Sequence, residues 1–86
     1  MRVFLQQIPT GSEPPKYLQL TLQPDLFGSW DLLRQTGIIG GRSQLRRERF
    51  PDAEQATAAF EKARDTQIQR GFQVTFVSGT PHNPTA

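Results

Sequence analysis

The stretch WDLLRQTGIIG, residues Trp30 to Gly40, decides how this chain is read. Trp30, Leu32 and Arg34 alternate with Asp31, Leu33 and Gln35, the period-two pattern of a β-strand. The strand is expected over Ser29–Thr36, and the following GIIGG, Gly37 to Gly41, supplies the glycines of a tight reversal. Ile38 and Ile39 sit inside that reversal, and one of them is expected to pack inward. Past it, SQLRRERF (Ser43–Phe50) forms a second strand. Leu45, Arg47 and Arg49 share one face of it, and Gln44, Arg46, Glu48 and Phe50 the other. Neither face is purely apolar, which fits an edge strand guarded by charge.

Upstream, Leu26-Phe27-Gly28 is an apolar connection expected to tuck under the sheet. Before it, Tyr17–Gln23 alternates cleanly, with Leu18, Leu20 and Leu22 on one face, as a half-buried antiparallel strand does. PTGSEPPK, Pro9 to Lys16, is turn chemistry throughout, and Val3–Ile8 is a short first strand. Downstream, Pro51-Asp52 opens a helix. Asp52 is placed to accept from first-turn amides, with Gln55 three residues on. Ala53, Ala56, Ala59, Phe60 and Ala63 recur every three or four residues, a stripe of small side chains anchored by Phe60 and extended by Ile68. Gly71 after Arg70 stops the helix, while Glu61, Lys62, Arg64 and Asp65 lie mainly on its wet side. QVTFV, Gln73–Val77, is a last short strand with Val74 and Phe76 on one face. The fold class is therefore α+β: a four- or five-stranded twisted antiparallel sheet with one helix packed on one face. One domain over residues 1–77 is followed by a Pro-containing tail, 78–86, expected to be disordered.

The 86 residues suffice for one domain with a modest core. With no Cys, neither a disulfide nor a thiolate metal site is available, and the single His, His82, lies in the tail. Asp25, Asp31 and Asp52 each have a turn, strand-face or cap explanation, and no helix opens directly after the glycines at 37, 40 and 41 as a dinucleotide site requires. A catalytic role, a cofactor and a metal are not expected. The apolar run at Val3–Leu5 stops at Gln6, too short for a secretion signal. No stretch approaches the roughly 20 apolar residues of a membrane span. A soluble cytoplasmic protein is expected.

Charge is unevenly placed. Between Arg34 and Arg49 lie five arginines (34, 42, 46, 47 and 49) and one acid, Glu48, although the formal net charge of the chain is only +2. A cationic stripe on a near-neutral body attracts polyanions, although exposed arginines are also common as a merely solvated strand face.

The order of these pieces resembles the WGR domain family, over roughly Met1 to Phe76. In its bacterial members an LFG-like turn precedes a strand that begins with Trp, as Leu26-Phe27-Gly28-Ser29-Trp30 does here. That strand ends in the Trp-Gly-Arg motif and Ile-Gly, matched here by Thr36-Gly37-Ile38-Ile39-Gly40. A phenylalanine precedes the helix, as Phe50 does, and an Ala-rich helix closes on a basic-Gly-aromatic run, here Arg70-Gly71-Phe72. The resemblance implies a small bacterial DNA-contacting domain. In DNA-repair polymerases of this family the motif Trp packs against a DNA strand end and the Arg supports the contact. Here Thr36 cannot stack and Ile38 cannot pair with phosphate, so that contact is not carried over at these two positions.

Two functions follow as expectations. The first is non-catalytic binding of DNA or another nucleic acid, with Arg34, Arg42, Arg46, Arg47, Arg49 and Arg70 on phosphates and Lys62 as an extension. The alternative is a protein-interaction module that docks through Ile38 and Ile39. Trp30, alternating with Leu32, is expected to be a core anchor rather than a stacking platform.

Overall fold

The computed structural model describes residues 1–9 and 11–78. In chain order these form β1 (Arg2–Gln7), β2 (Lys16–Pro24), β3 (Trp30–Ile38), β4 (Ser43–Phe50), α1 (Ala53–Gln69) and β5 (Phe72–Ser78). The strands make one antiparallel sheet in the order β4-β3-β2-β1-β5. The first four are a meander, and α1 carries the chain from the β4 edge to the far edge, where β5 pairs with β1. A helix of 17 residues is about 25 Å long, against about 19 Å for four strand spacings, so a single helix suffices for the crossing. The fold is α+β with five strands. Ser78 closes β5, and the remainder of the expected tail, with His82, lies outside the described residues.

The leucine alternation fixes which face the helix covers. Leu18, Leu20 and Leu22 of β2 join Val3 and Leu5 of β1 and Leu32 of β3 under Ala56, Phe60 and Ala63 of α1. Two of the three helix contacts are alanines, so the backbones approach closely and Phe60 alone fills the space between. Trp30 and Phe50, partners across β3 and β4, are partly buried and pack against this core. Asp52 caps the helix: its carboxylate accepts from the Gln55 amide at 2.8 Å and from the Gln55 side chain at 3.3 Å.

Three local expectations are corrected. Leu26 and Phe27 do not tuck under the sheet; they are 95% and 89% exposed. The Asp25 carboxylate accepts from the amides of Phe27 (2.8 Å) and Ser29 (2.9 Å), and this tight Asx-type loop turns both side chains outward. Val74 and Phe76 do not share a face. A bulge leaves Thr75 without a ladder partner, so Val74 pairs with Leu5 and Phe76 with Phe4, whose side chains point to opposite sides. Ala53 and Ile68, the two ends of the expected stripe, are exposed: the buried residues are Ala56, Phe60 and Ala63, and the stripe continues onto Gln67 rather than Ile68.

Phe60→Ala should lower stability by about 3–5 kcal/mol, since no neighbour fills the space left between the alanines. Phe27→Ser should stay within about 0.5 kcal/mol of the parent chain. Urea denaturation followed by far-UV circular dichroism measures both.

Candidate nucleic-acid interface

Strand alternation divides the arginine-rich stretch into two sets. Arg34 and Arg46 are register partners on β3 and β4 and stand on the helix side of the sheet, with Leu20 and Leu32. Arg47 and Arg49 stand on the opposite side, with Leu33 and Asp31 as their register partners. Each set has a carboxylate. Arg34 Nη2 lies 2.7 Å from Glu48 Oε1. Asp31, only 5% exposed, lies 3.4 Å from Arg49 Nε and 3.8 Å from Arg47 Nε, and Asp25 is 3.6 Å from Arg49 Nε. Among the described residues Arg42, Arg46, Arg70 and Lys16 have no ion-pair partner. The six arginines thus do not form one surface: Arg47 and Arg49 are committed to Asp31 on the far face.

On the helix side two hollows adjoin, since Leu18 and Gln67 line both. The larger, about 520 Å³, lies between the C-terminal end of α1 and the ends of β2 and β3. It is lined by the motif-equivalent Thr36, Gly37 and Ile38 and by Lys16 and Arg70. The smaller, about 330 Å³, holds Arg34, Glu48 and Lys62. Four cations and one carboxylate therefore line the pair. The carbonyl end of α1 adds the equivalent of about half a negative charge, which Arg70 and Lys16 together outweigh. Lys16 was not a sequence candidate. Its signal was its place at the start of β2, where the register sets it opposite Ile38.

β3 runs two residues further than expected, because Gly37 and Ile38 keep ladder partners in Tyr17 and Lys16. The turn is Ile39 to Arg42. Gly40 takes φ 78° there, and Ile38 accepts from the Gly41 amide at 2.8 Å. Gly37 answers to a different demand. A Cβ on it would run into the carbonyl oxygen of Arg42 and lie 2.9 Å from Ser43 Cα, backbone atoms that cannot rotate away. The expectation that one isoleucine packs inward is not met: Ile38 and Ile39 are both exposed, because neither reaches the helix-covered leucines from the sheet end.

The chemistry this arrangement presents is cationic and hydrogen-bonding. Among the described residues no group of three or more His, Cys, Asp or Glu is placed to hold a metal ion, and no helix is long and apolar enough to cross a membrane.

Comparison with known proteins places these elements. The model of the WGR domain matches residues 1–76. The chain is also similar to an uncharacterized protein, y4dW, of Sinorhizobium fredii, with 26% identity over 72 residues. The match covers 84% of this chain and 35% of that protein, so the chain spans about a third of the relative's length. No solved structure matches the chain.

Gly37→Ala should lower stability by about 1–3 kcal/mol through overpacking at the β3–β4 hairpin. Gly41→Ala, whose Cβ would meet only Ile38 at 3.5 Å, should change it by less than about 0.5 kcal/mol. The urea midpoints of the two variants check the contrast.

Proposed function

The chain belongs to the WGR domain family, and from that premise we propose that it is a non-catalytic nucleic-acid-binding domain holding phosphates along the helix side of the sheet. The family is generally nucleic-acid-binding. The observation that carries the finer reading is the pair of adjoining hollows, one lined by Lys16 and Arg70 with no carboxylate, the other by Lys62 and by Arg34 paired with Glu48. Arg46, across from Arg34, and Arg42, in the neighbouring turn, extend this charge along the β4 edge. The Trp and Arg of the family motif are absent. Cations from β2 and α1 therefore do the work that a guanidinium at position 38 would have done. Such contacts position a backbone and read no bases.

A protein-docking role is favoured by one observation, the joint exposure of Ile38, which lines the larger hollow, and of Ile39 next to it in the chain. It predicts that self-association, or binding to a defined partner, is lost in an Ile38→Ser/Ile39→Ser variant while duplex binding is kept. Sedimentation velocity and anisotropy separate the two.

Binding of a labelled duplex should weaken steeply with salt. Neutralising about four phosphates gives a slope of log K against log salt near −3.6, and Arg70→Gln should reduce its size by about 0.9. A slope near zero, or one unmoved by Arg70→Gln and Lys16→Gln together, would overturn the assignment.

A further inference from the structure

The side of the sheet that α1 does not cover carries a distinct chemistry. Phe76, Phe4, Gln19, Gln35 and Leu45 are successive register partners, so they form one row across all five strands. Tyr17, in the next row, stacks on Phe4 with ring centres 5.4 Å apart and planes 10° from parallel. Arg2 and Arg47 belong to the row on the other side, joined through Thr21 and Leu33. The strand residues of this face include one acid, Asp31, which is buried beneath Arg47 and Arg49. The face is thus aromatic at one edge, rich in amides at its centre and cationic along one side, with no exposed carboxylate from a strand.

We propose that this face binds single-stranded nucleic acid. The inference rests on the reading that the domain binds nucleic acid, and adds a second surface and a preferred form of the ligand. Aromatic rings on an uncovered sheet face accept the faces of unpaired bases, which a continuous duplex keeps stacked inside itself. Gln19 supplies a donor and an acceptor for base edges, and Gln35, whose side-chain amide donates to Ser43 Oγ at 3.4 Å, keeps its amide oxygen as an acceptor. An apolar protein partner would bury the Gln19 amide without a partner at a cost, whereas base edges satisfy it. Arg2 and Arg47 lie to one side of the aromatic row; Arg47 is paired with Asp31, and Arg2, with no ion-pair partner among the described residues, is the cation that a backbone following that row meets.

Anisotropy of a labelled twelve-residue oligothymidylate, compared with a twelve-base-pair duplex, tests the proposal. Phe76→Ala and Phe4→Ala should each weaken oligothymidylate binding roughly 5- to 150-fold while changing duplex affinity by less than about twofold, whereas Tyr17 also borders the larger helix-side hollow and is left in place. On the unsubstituted chain the oligothymidylate should shift the amides of Phe4, Gln19, Gln35 and Phe76. Phe76 is 53% exposed, so its replacement leaves the fold intact even if Phe4→Ala does not fold. Oligothymidylate binding that ignores both substitutions, or shifts confined to the helix-side hollows, would overturn the proposal and leave the phosphate groove standing. Binding of oligothymidylate but not of duplex would keep the face and remove the groove. Failure of both ligands removes both, and self-association abolished by Phe76→Ala without oligothymidylate binding makes the face a protein contact.

Discussion

The contact on which the rest of this structure depends is the seating of α1 on the leucine face of the sheet. Ala56 and Ala63 let the helix backbone come close, and Phe60 fills the one large space against leucines of β2 and β3. Burial of a side chain of this kind stabilises by roughly 1.5–3 kcal/mol, a large share of the margin of a small domain. No disulfide assists, because the chain has no Cys. One helix covers one face, so the diagonal crossing also decides where function can lie: in the hollows along the helix flank, or on the face left bare.

The same geometry settles the electrostatics. Five arginines close in sequence suggest one cationic stripe, but side chains on a strand alternate. Arg34 and Arg46 therefore stand with the helix while Arg47 and Arg49 stand with Asp31. The Arg34–Glu48 pair is exposed on both sides and contributes at most about 1 kcal/mol, whereas the buried Asp31 carboxylate needs its arginines to offset the cost of its desolvation. These pairs also bear on recognition, since they fix which cations are free to meet a phosphate. On the helix side, the cations without an ion-pair partner among the described residues come from segments distant in the chain: Lys16 on β2, Arg42 and Arg46 in and before β4, and Lys62 and Arg70 on and just after α1.

The altered motif has a physical explanation in the same corner. Gly37 is held by the approach of the Arg42 carbonyl, which leaves no room for a Cβ. Thr36 and Ile38, on either side, line an open hollow and belong to no part of the core. Packing therefore constrains the glycine and leaves its neighbours free, so Trp and Arg can be exchanged for Thr and Ile without disturbing the fold. The Leu26-Phe27 loop has a similar logic: backbone amides on the Asp25 carboxylate set its shape, and the apolar side chains do not.

The sequence by itself determined the elements that rest on local periodicity and local hydrogen bonds. The Leu18, Leu20, Leu22 alternation, the Ser43–Phe50 strand, the Asp52 cap and the Ala56, Phe60, Ala63 stripe were all legible because spacing alone aligns those side chains on one face. It also determined the family, through the order of several weak signals. The tertiary structure alone decided what depends on register and on long-range approach. Among these are Lys16 beside Ile38 and Arg70, the bulge that parts Val74 from Phe76, the outward turn of Leu26 and Phe27, and the pairing of Asp31 with arginines of another strand. The reason is that periodicity acts over a few residues, whereas which strand edge or helix end a side chain meets is set only when the whole sheet has closed on its helix.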